Sequence, residues 1–189
     1  MLLRASTRPE WTAAVLADLD AFLLDHAANE RKASASALAL VAHYPDRTEL
    51  VRRCIDLAVE ELEHFRAVHR WIAARRLTLG ADTKSEYLRR LSAGFRDGSE
   101  PYFLDRLLTA AIVEARGCER FGLLAGALED GDLREFYREL ARSEVRHHET
   151  YLSLARAYFD SAEAERRLGE LLDAEARLIE SLPLRSALY

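Results

Sequence analysis

Apolar residues recur along most of the chain every three or four positions, which is the period of an amphipathic α-helix. Turn residues divide this pattern into four long segments and two shorter ones. The long segments cover about residues 7–44, 46–77, 101–129 and 132–158, and the shorter ones cover 85–95 and 160–182. No stretch alternates with the two-residue period of a strand, so the sequence predicts an all-α protein.

Capping signals mark where several of these helices begin. A Ser, Thr or Asp three residues before a Glu satisfies free backbone N–H groups and favours a helix start. This spacing occurs at Thr7 and Glu10, at Asp46 and Glu49, and at Asp160 and Glu163. Pro45 and Gly131 separate neighbouring long helices, because neither residue continues a helix well.

The lengths of the connections predict how the long helices pack. About three residues join the first long helix to the second, and about three join the third to the fourth, so each pair should form an antiparallel hairpin. About 22 residues, 78–99, lie between the two pairs. Two hairpins joined by one long crossover are typical of a ferritin-like four-helix bundle, here with accessory helices.

Composition favours one globular domain. The chain has 189 residues, of which 49% are hydrophobic and 31% charged, a balance typical of a folded domain. No apolar run reaches the ~18 residues that a membrane span needs, and the opening Met1-Leu2-Leu3-Arg4 is too short for a signal peptide. We therefore expect a single domain over residues 1–189 in the cytoplasm, with no membrane contact.

The two cysteines of the chain do not form a metal-binding motif. Cys54 and Cys118 do not form a Cys-x-x-Cys pair, so the chain lacks the motif of a rubredoxin or zinc-ribbon module. Both residues are expected in the core, where a free cysteine behaves as a small hydrophobic side chain. The net charge of −5 does not decide whether nucleic acid is a partner, since local patches do that.

Two Glu-x-x-His motifs carry the main chemical signal. Glu61 and His64 lie one helical turn apart on the second long helix, and Glu144 and His147 repeat the spacing on the fourth. Each glutamate falls in the middle of an apolar stripe. Because ionised carboxylates are rarely buried without a partner, these positions predict ligands rather than packing residues.

The other two long helices each place a glutamate, Glu30 or Glu114, on their apolar stripe. At ~1.5 Å per residue, Glu30 and Glu61 both lie ~20 Å from their hairpin turn. Glu114 and Glu144 come within about one turn of each other by the same measure. The separations of 31 and 30 residues indicate a degenerate tandem repeat. We therefore expect all these side chains to meet at one level.

Four carboxylates and two imidazoles suit a pair of hard or borderline divalent metal ions. This ligand set occurs in ferritin-like di-iron and di-manganese proteins, whereas zinc more often has thiolate or three-histidine sets. His148 is an alternative to His147, although His147 repeats the spacing of the other motif. His26 is expected to support a ligand or to belong to the core. The alternative to a metal site is four buried glutamates neutralised by arginine or histidine.

Four stretches carry a resemblance to a known family. They are residues 25–33 (DHAANERKA), 60–65 (EELEHF), 114–121 (EARGCERF) and 143–148 (SEVRHH). From about residue 5 to 180 the chain resembles the MiaE family of tRNA 2-methylthio-N6-isopentenyladenosine hydroxylases. The segments around Glu30 and Glu114 point to this family, because the metal motifs alone indicate only a ferritin-like protein. Gly117 and Val145 depart from the family's common serine and alanine, but neither is a ligand position.

The resemblance implies a di-iron monooxygenase that hydroxylates the isopentenyl side chain of a modified adenosine beside the tRNA anticodon. It implies O₂ as co-substrate and an external electron donor, a reductase or ferredoxin-type protein. One iron would be held by Glu30, Glu61 and His64, and the other by Glu114, Glu144 and His147. Glu61 and Glu144 would bridge the two irons.

Arginines on the fourth long helix are candidates for tRNA contact. Arg134, Arg138 and Arg142 recur every four residues and therefore share a helix face. The alternative is a solvated face on which they pair with Glu135 and Glu139.

Two other functions stay open alongside the tRNA hydroxylase. The first is a ferritin-like protein that binds or oxidises iron without an organic substrate. The second is a hydroxylase acting on a quinone. A quinone hydroxylase is expected to have an apolar helix lying on a membrane, for which the sequence offers no strong candidate. The oligomeric state is not predicted by the sequence.

Overall fold

A computed structural model describes residues 3–189, and within that range every regular element is a helix. The seven helices are α1 (Glu10–Ala17), α2 (Leu19–His43), α3 (Thr48–Ala74), α4 (Glu86–Ser92), α5 (Ser99–Ala127), α6 (Asp132–Tyr158) and α7 (Ser161–Ser181). The predicted all-α class is confirmed.

Residue contacts divide the chain into two compact units. The α2–α3 unit holds Ala14–Thr83 together with Arg185–Leu188. The α5–α7 unit holds Lys84–Leu184, Tyr189 and the described residues before Ala14. The single domain over residues 1–189 that the sequence predicts stays a prediction.

The first predicted long helix is interrupted at Asp18. The backbone leaves helical geometry there, with φ −144° and ψ 67°, and the Asp18 carboxylate accepts a hydrogen bond from the Ala21 N–H at 3.1 Å. Asp18 therefore ends α1 and caps α2. Apolar periodicity continues across the break, which is why the pattern predicted one helix.

Capping predictions have mixed outcomes at the other helix starts. The Asp160 carboxylate accepts from the N–H groups of Ala162 and Glu163 at 3.0 and 3.1 Å, which confirms the predicted cap of α7. The prediction at Asp46 is wrong, because Arg47 is the N-cap of α3. Thr7 does not cap α1 either, since its hydroxyl oxygen accepts hydrogen bonds from Arg116 and Arg120 at 3.1 and 3.3 Å.

In the α2–α3 unit, the two long helices pack against each other as the predicted hairpin. Only the four residues 44–47 connect them, which forces the helices to run back along each other. Phe22, Leu23, Leu50 and Ile72 on these two helices are fully buried, each contributing roughly 1.5–3 kcal/mol to folding. The Ser34 hydroxyl donates to the Ala58 carbonyl at 2.8 Å and thereby sets the register of α2 on α3.

In the α5–α7 unit, α5 packs against both α6 and α7, and α4 packs against α7. Asp105 on α5 is fully buried and accepts hydrogen bonds from Arg167 on α7 at 2.7 and 2.8 Å. Arg96 donates to the same carboxylate from its backbone and its side chain. Two arginines thus neutralise one buried aspartate and join α5 to α7.

A second buried ion pair joins α5 to α7. Arg116 is fully buried and donates two parallel hydrogen bonds of 2.9 Å to the Glu175 carboxylate, the geometry in which an arginine binds a carboxylate best. The same guanidinium contacts Glu119 and donates to Thr7 and to the Ala5 carbonyl. This network explains why Thr7 is unavailable as a helix cap.

None of the helices within residues 3–189 is long and apolar enough to cross a membrane.

Candidate metal centre

Three of the predicted ligands lie together in the α2–α3 unit. Glu30 is in the middle of α2, while Glu61 and His64 lie one turn apart on α3, and the hairpin brings them to the same level. His64 Nδ1 lies 3.6 Å from Glu30 Oε2 and 3.5 Å from Glu61 Oε2. Both carboxylates are buried, with 4% and 3% of their surface exposed. Helix rise and turn length therefore predicted this grouping correctly.

His26 supports Glu30 from the preceding turn of α2. Its Nε2 lies 2.6 Å from Glu30 Oε1, and the imidazole is fully buried. Burial by itself raises the pKa of Glu30, but the contacts with His26 and His64 outweigh burial and lower the pKa to about 2. Glu30 is therefore held as a carboxylate, which is the form that binds a metal ion.

The α5–α7 unit holds the other three predicted ligands. Glu114 on α5 is 7% exposed, and Glu144 and His147 on α6 are 2% and 1% exposed. His147 Nδ1 lies 3.4 Å from Glu144 Oε2, close to the spacing of the equivalent pair on α3. His148, the alternative ligand, has its Nδ1 2.8 Å from the Ala111 carbonyl, so that nitrogen is engaged with the backbone of α5.

Sequence reasoning missed Tyr189, which lies beside the ligands of this unit. Its hydroxyl donates to the carbonyl of Val113, the residue before Glu114, at 3.0 Å. A Cβ atom added at Gly117 would lie 3.0 Å from that hydroxyl and 3.9 Å from Cγ of Glu144. A glycine in a helix interior beside ligand positions was the available signal, because it often marks a close approach.

The chemistry of the donors fits divalent metal ions. A metal held at ~2.1 Å by two ligands keeps those ligand atoms ~3.0–3.4 Å apart. The observed separations of 3.4, 3.5 and 3.6 Å are near that range and longer than most hydrogen bonds. Glu61, His64, Glu144 and His147 each offer a ligand atom of the hard or borderline kind.

The arginines predicted to contact tRNA pair with neighbouring acids. Arg134 pairs with Asp130 and Arg138 with Glu135. Arg142 lies 4.0 Å from Glu135 and is 68% exposed. Asp130 precedes α6, whereas Glu135 lies within it, and both pairs are at least partly open to solvent, so they contribute little to stability. Contact of these arginines with tRNA stays a prediction.

Two Glu-x-x-His helices, each following a helix with its own buried glutamate, define the carboxylate-and-histidine class of ferritin-like metal proteins. A family model described as tRNA-(MS[2]IO[6]A)-hydroxylase (MiaE) matches residues 1–187. The chain belongs to the MiaE family, as the four quoted stretches predicted.

Two curated relatives have the same name, tRNA 2-(methylsulfanyl)-N(6)-isopentenyladenosine(37) hydroxylase. The Pseudomonas putida protein is 37% identical over 175 residues, which cover 93% of this chain and 85% of the relative. The Salmonella typhimurium protein is 39% identical over 107 residues, which cover 57% of this chain and 39% of the relative.

A solved structure has the same fold. It is described as Protein 43 with aldehyde deformylating oxygenase activity, from Synechococcus, and is 34% identical to this chain. The match has a TM-score of 0.93 and covers 98% of this chain and 92% of the other. This likeness confirms the ferritin-like fold that helix lengths and connections predict.

Proposed function

We propose that this protein hydroxylates the isopentenyl side chain of 2-methylthio-N6-isopentenyladenosine next to the tRNA anticodon. The observation that carries the proposal is the match of the MiaE family model to residues 1–187. The Pseudomonas putida relative, which covers 93% of the chain, bears the hydroxylase name. Such a reaction belongs in the cytoplasm, where tRNA is modified.

The reaction requires a redox cofactor, because side chains alone do not insert oxygen into an unactivated C–H bond. Two iron ions are proposed, one held by Glu30, Glu61 and His64 and the other by Glu114, Glu144 and His147. Glu61 and Glu144 are the proposed bridging carboxylates. The distances from His64 to Glu30 and Glu61, and from His147 to Glu144, support this assignment.

When bound, a pair of reduced irons supplies two electrons to O₂, and an external reductase or ferredoxin-type protein replaces them. The protein's own residues exclude water and orient the ligands. Glu30, Glu61, Glu114, Glu144 and His147 are each at most 7% exposed. The His64 side chain is 16% exposed, so the prenyl group is proposed to approach from that side. His26 orients Glu30 through their 2.6 Å contact.

The test incubates reduced, iron-loaded protein with O₂ and tRNA that carries the prenylated nucleoside. The tRNA is then digested, and the nucleoside is analysed by mass spectrometry. A gain of one oxygen atom, labelled when ¹⁸O₂ is supplied, is the expected result. A Glu144→Gln variant and tRNA without the prenyl group are the controls. Absence of product from protein that contains both irons contradicts the proposal.

Aldehyde deformylation is a second candidate, favoured by the activity in the name of the Synechococcus protein, which is 34% identical to this chain. The same protein preparation would be given an aldehyde, and loss of one carbon would be measured. Iron oxidation without an organic substrate is a further alternative. It predicts O₂ consumption that follows added iron and does not respond to prenylated tRNA or to aldehyde.

A further inference from the structure

A cavity outside the metal centre lies between α4 and α7, both in the α5–α7 unit. Its volume is about 270 Å³, and its lining residues are Arg90, Leu91, Ala174, Arg177, Leu178 and Ser181. Two of these residues are cationic and none is acidic. Small-molecule sites usually span ~300–1,000 Å³, so this cavity is suited to one compact group rather than to a whole cofactor.

The two arginines of this cavity differ from most arginines of the protein. Arg89, next to Arg90, pairs with Glu86, and Arg166 on α7 pairs with Glu170. Among the residues that the structure describes, neither Arg90 nor Arg177 forms an ion pair. Asp173, one turn before Arg177, is paired with Arg4. Arg177 lowers the pKa of Asp173 less than Arg4 does and forms no ion pair with it, so the positive charge that faces the cavity is only partly offset.

Ser181 adds a positioned hydroxyl to the same cavity. Arg90 Nη2 donates to the Ser181 hydroxyl oxygen at 3.1 Å, and that hydroxyl donates its own proton to the Leu178 carbonyl at 2.9 Å. The two hydrogen bonds place one edge of the Arg90 guanidinium and leave its other N–H groups available. A guanidinium prepared in this way suits the oxygens of a phosphate group.

Capping of a helix end is the simpler explanation of arginines near residue 181, because cations stabilise a helix C-terminus. Arg8 performs that role, since its Nη2 donates to the Leu182 carbonyl at 2.5 Å. Arg90 binds a hydroxyl rather than an end carbonyl, and Arg177 lies one turn before the end of α7. Capping therefore accounts for Arg8 but not for the two arginines of the cavity.

We infer that this cavity is a phosphate-binding site and that its ligand is a backbone phosphate of the tRNA. The inference rests on the proposed function for the identity of the nucleic acid. Arg90 and Arg177 bind the phosphate oxygens, and the apolar floor of Leu91, Ala174 and Leu178 packs against the adjoining ribose. Unlike Arg134 and Arg138, these arginines do not have to leave a carboxylate partner in order to bind.

The experiment measures binding of the full-length protein to tRNA as a function of salt concentration, so that no chemical step is needed. Arg90→Ala and Arg177→Ala are compared with Arg89→Ala and Arg166→Ala, which remove paired arginines from the same two helices. Each cavity variant is expected to bind tRNA about fivefold more weakly at ~0.1 M salt and to lower the salt slope by about one. The two control variants should bind like the wild type.

Competition with inorganic phosphate and with a nucleoside monophosphate distinguishes the sources of the ligand. If both cavity variants bind tRNA with the affinity and salt slope of the wild type, the inference is overturned. Loss of phosphate binding in those variants without loss of tRNA binding overturns the tRNA assignment. A wild-type protein that does not bind tRNA overturns this inference together with the proposed function. Normal tRNA binding that depends on Arg90 and Arg177, but without hydroxylation, supports the site and counts against the proposed reaction alone.

Discussion

At the scale of single residues, the structure explains why position 117 is a glycine, which the sequence context only suggested. The space next to it is filled by the Tyr189 hydroxyl, which is held by the Val113 carbonyl and by stacking of its ring on Tyr87 at 5.2 Å. Both contacts oppose movement of the tyrosine. A side chain at Gly117 would therefore meet a group that does not yield easily, and its Cβ would lie 3.9 Å from Cγ of the proposed ligand Glu144.

We expect Gly117→Ala to stabilise the protein less than Gly122→Ala. An added Cβ at Gly122 meets nothing within 4 Å, so that change should gain about 1 kcal/mol of helix propensity. At Gly117 the crowded Tyr189 hydroxyl should cancel this gain. Urea unfolding measures both variants, and Tyr189→Phe, which removes the hydroxyl, should restore the gain at Gly117. Equal stabilisation by the two alanines would show that Tyr189 does not restrict the position.

Removal of a single ligand carboxylate should disrupt iron binding. Glu61→Gln and Glu144→Gln keep the shape of the side chain but remove the charge that a metal ion needs. Each is expected to abolish stoichiometric binding of two irons, as measured by iron analysis after gel filtration. Glu63→Gln is the matched control, because Glu63 is on α3 but 60% exposed. Two irons retained in either ligand variant would contradict the assignment.

At the scale of helices, buried charges connect elements that are distant in the sequence. Asp105 accepts hydrogen bonds from Arg96 and Arg167, and Arg116 pairs with Glu175. Breaking such a pair costs several kcal/mol, mostly because the remaining charge stays desolvated. Among the acidic residues, only Glu30, Glu61, Glu114 and Glu144 were identified on apolar stripes, so these pairs were not predicted.

Acid should destabilise the protein partly through Asp105. Burial raises the pKa of this carboxyl, but hydrogen bonds from Arg167 and Arg96 outweigh burial and lower it below 3.8. A group whose pKa is lowered by folding stabilises the protein above its unfolded value, and this contribution is lost as the pH falls. The free energy of unfolding should therefore decrease as the pH drops below about 4.

Unfolding in urea from about pH 3 to 7 tests this dependence. Asp105→Asn should lower stability at neutral pH and weaken the acid dependence, because the titrating group is gone. Asp173→Asn is a suitable control, since Asp173 is 50% exposed and its pair with Arg4 is solvated. That variant should leave stability nearly unchanged, because exposed ion pairs contribute little. An Asp105→Asn protein with unchanged acid sensitivity would refute the role of this carboxyl.

At the scale of the whole molecule, iron binding should be linked to folding. A ligand that binds only the native state stabilises it by about 2.7 kcal/mol at a hundred times its Kd. Anaerobic addition of ferrous iron should therefore raise the Tm of the wild type, and a chelator should reverse the shift. Glu144→Gln should lose the shift, whereas Glu63→Gln should keep it. An equal shift in all three proteins would indicate binding elsewhere.

The sequence alone determined the all-helical class, the hairpins, and the placement of Glu61 and His64, and of Glu144 and His147, one turn apart on apolar helix faces. These features depend on the regular rise and period of a helix, which hydrogen bonds between near neighbours set. Glu30 and Glu61 were predicted to lie at the same height along the α2–α3 hairpin, from the same helical rise and the short turn between the helices.

Only the tertiary structure decided the partners of Thr7, Arg116 and Tyr189. Arg116 meets Glu175, 59 residues away, and Tyr189 meets Val113, 76 residues away. The break at Asp18 was also hidden, because the apolar pattern continues through it. Local periodicity specifies which face of a helix is buried, but which distant side chain fills a given space depends on packing that no local pattern encodes.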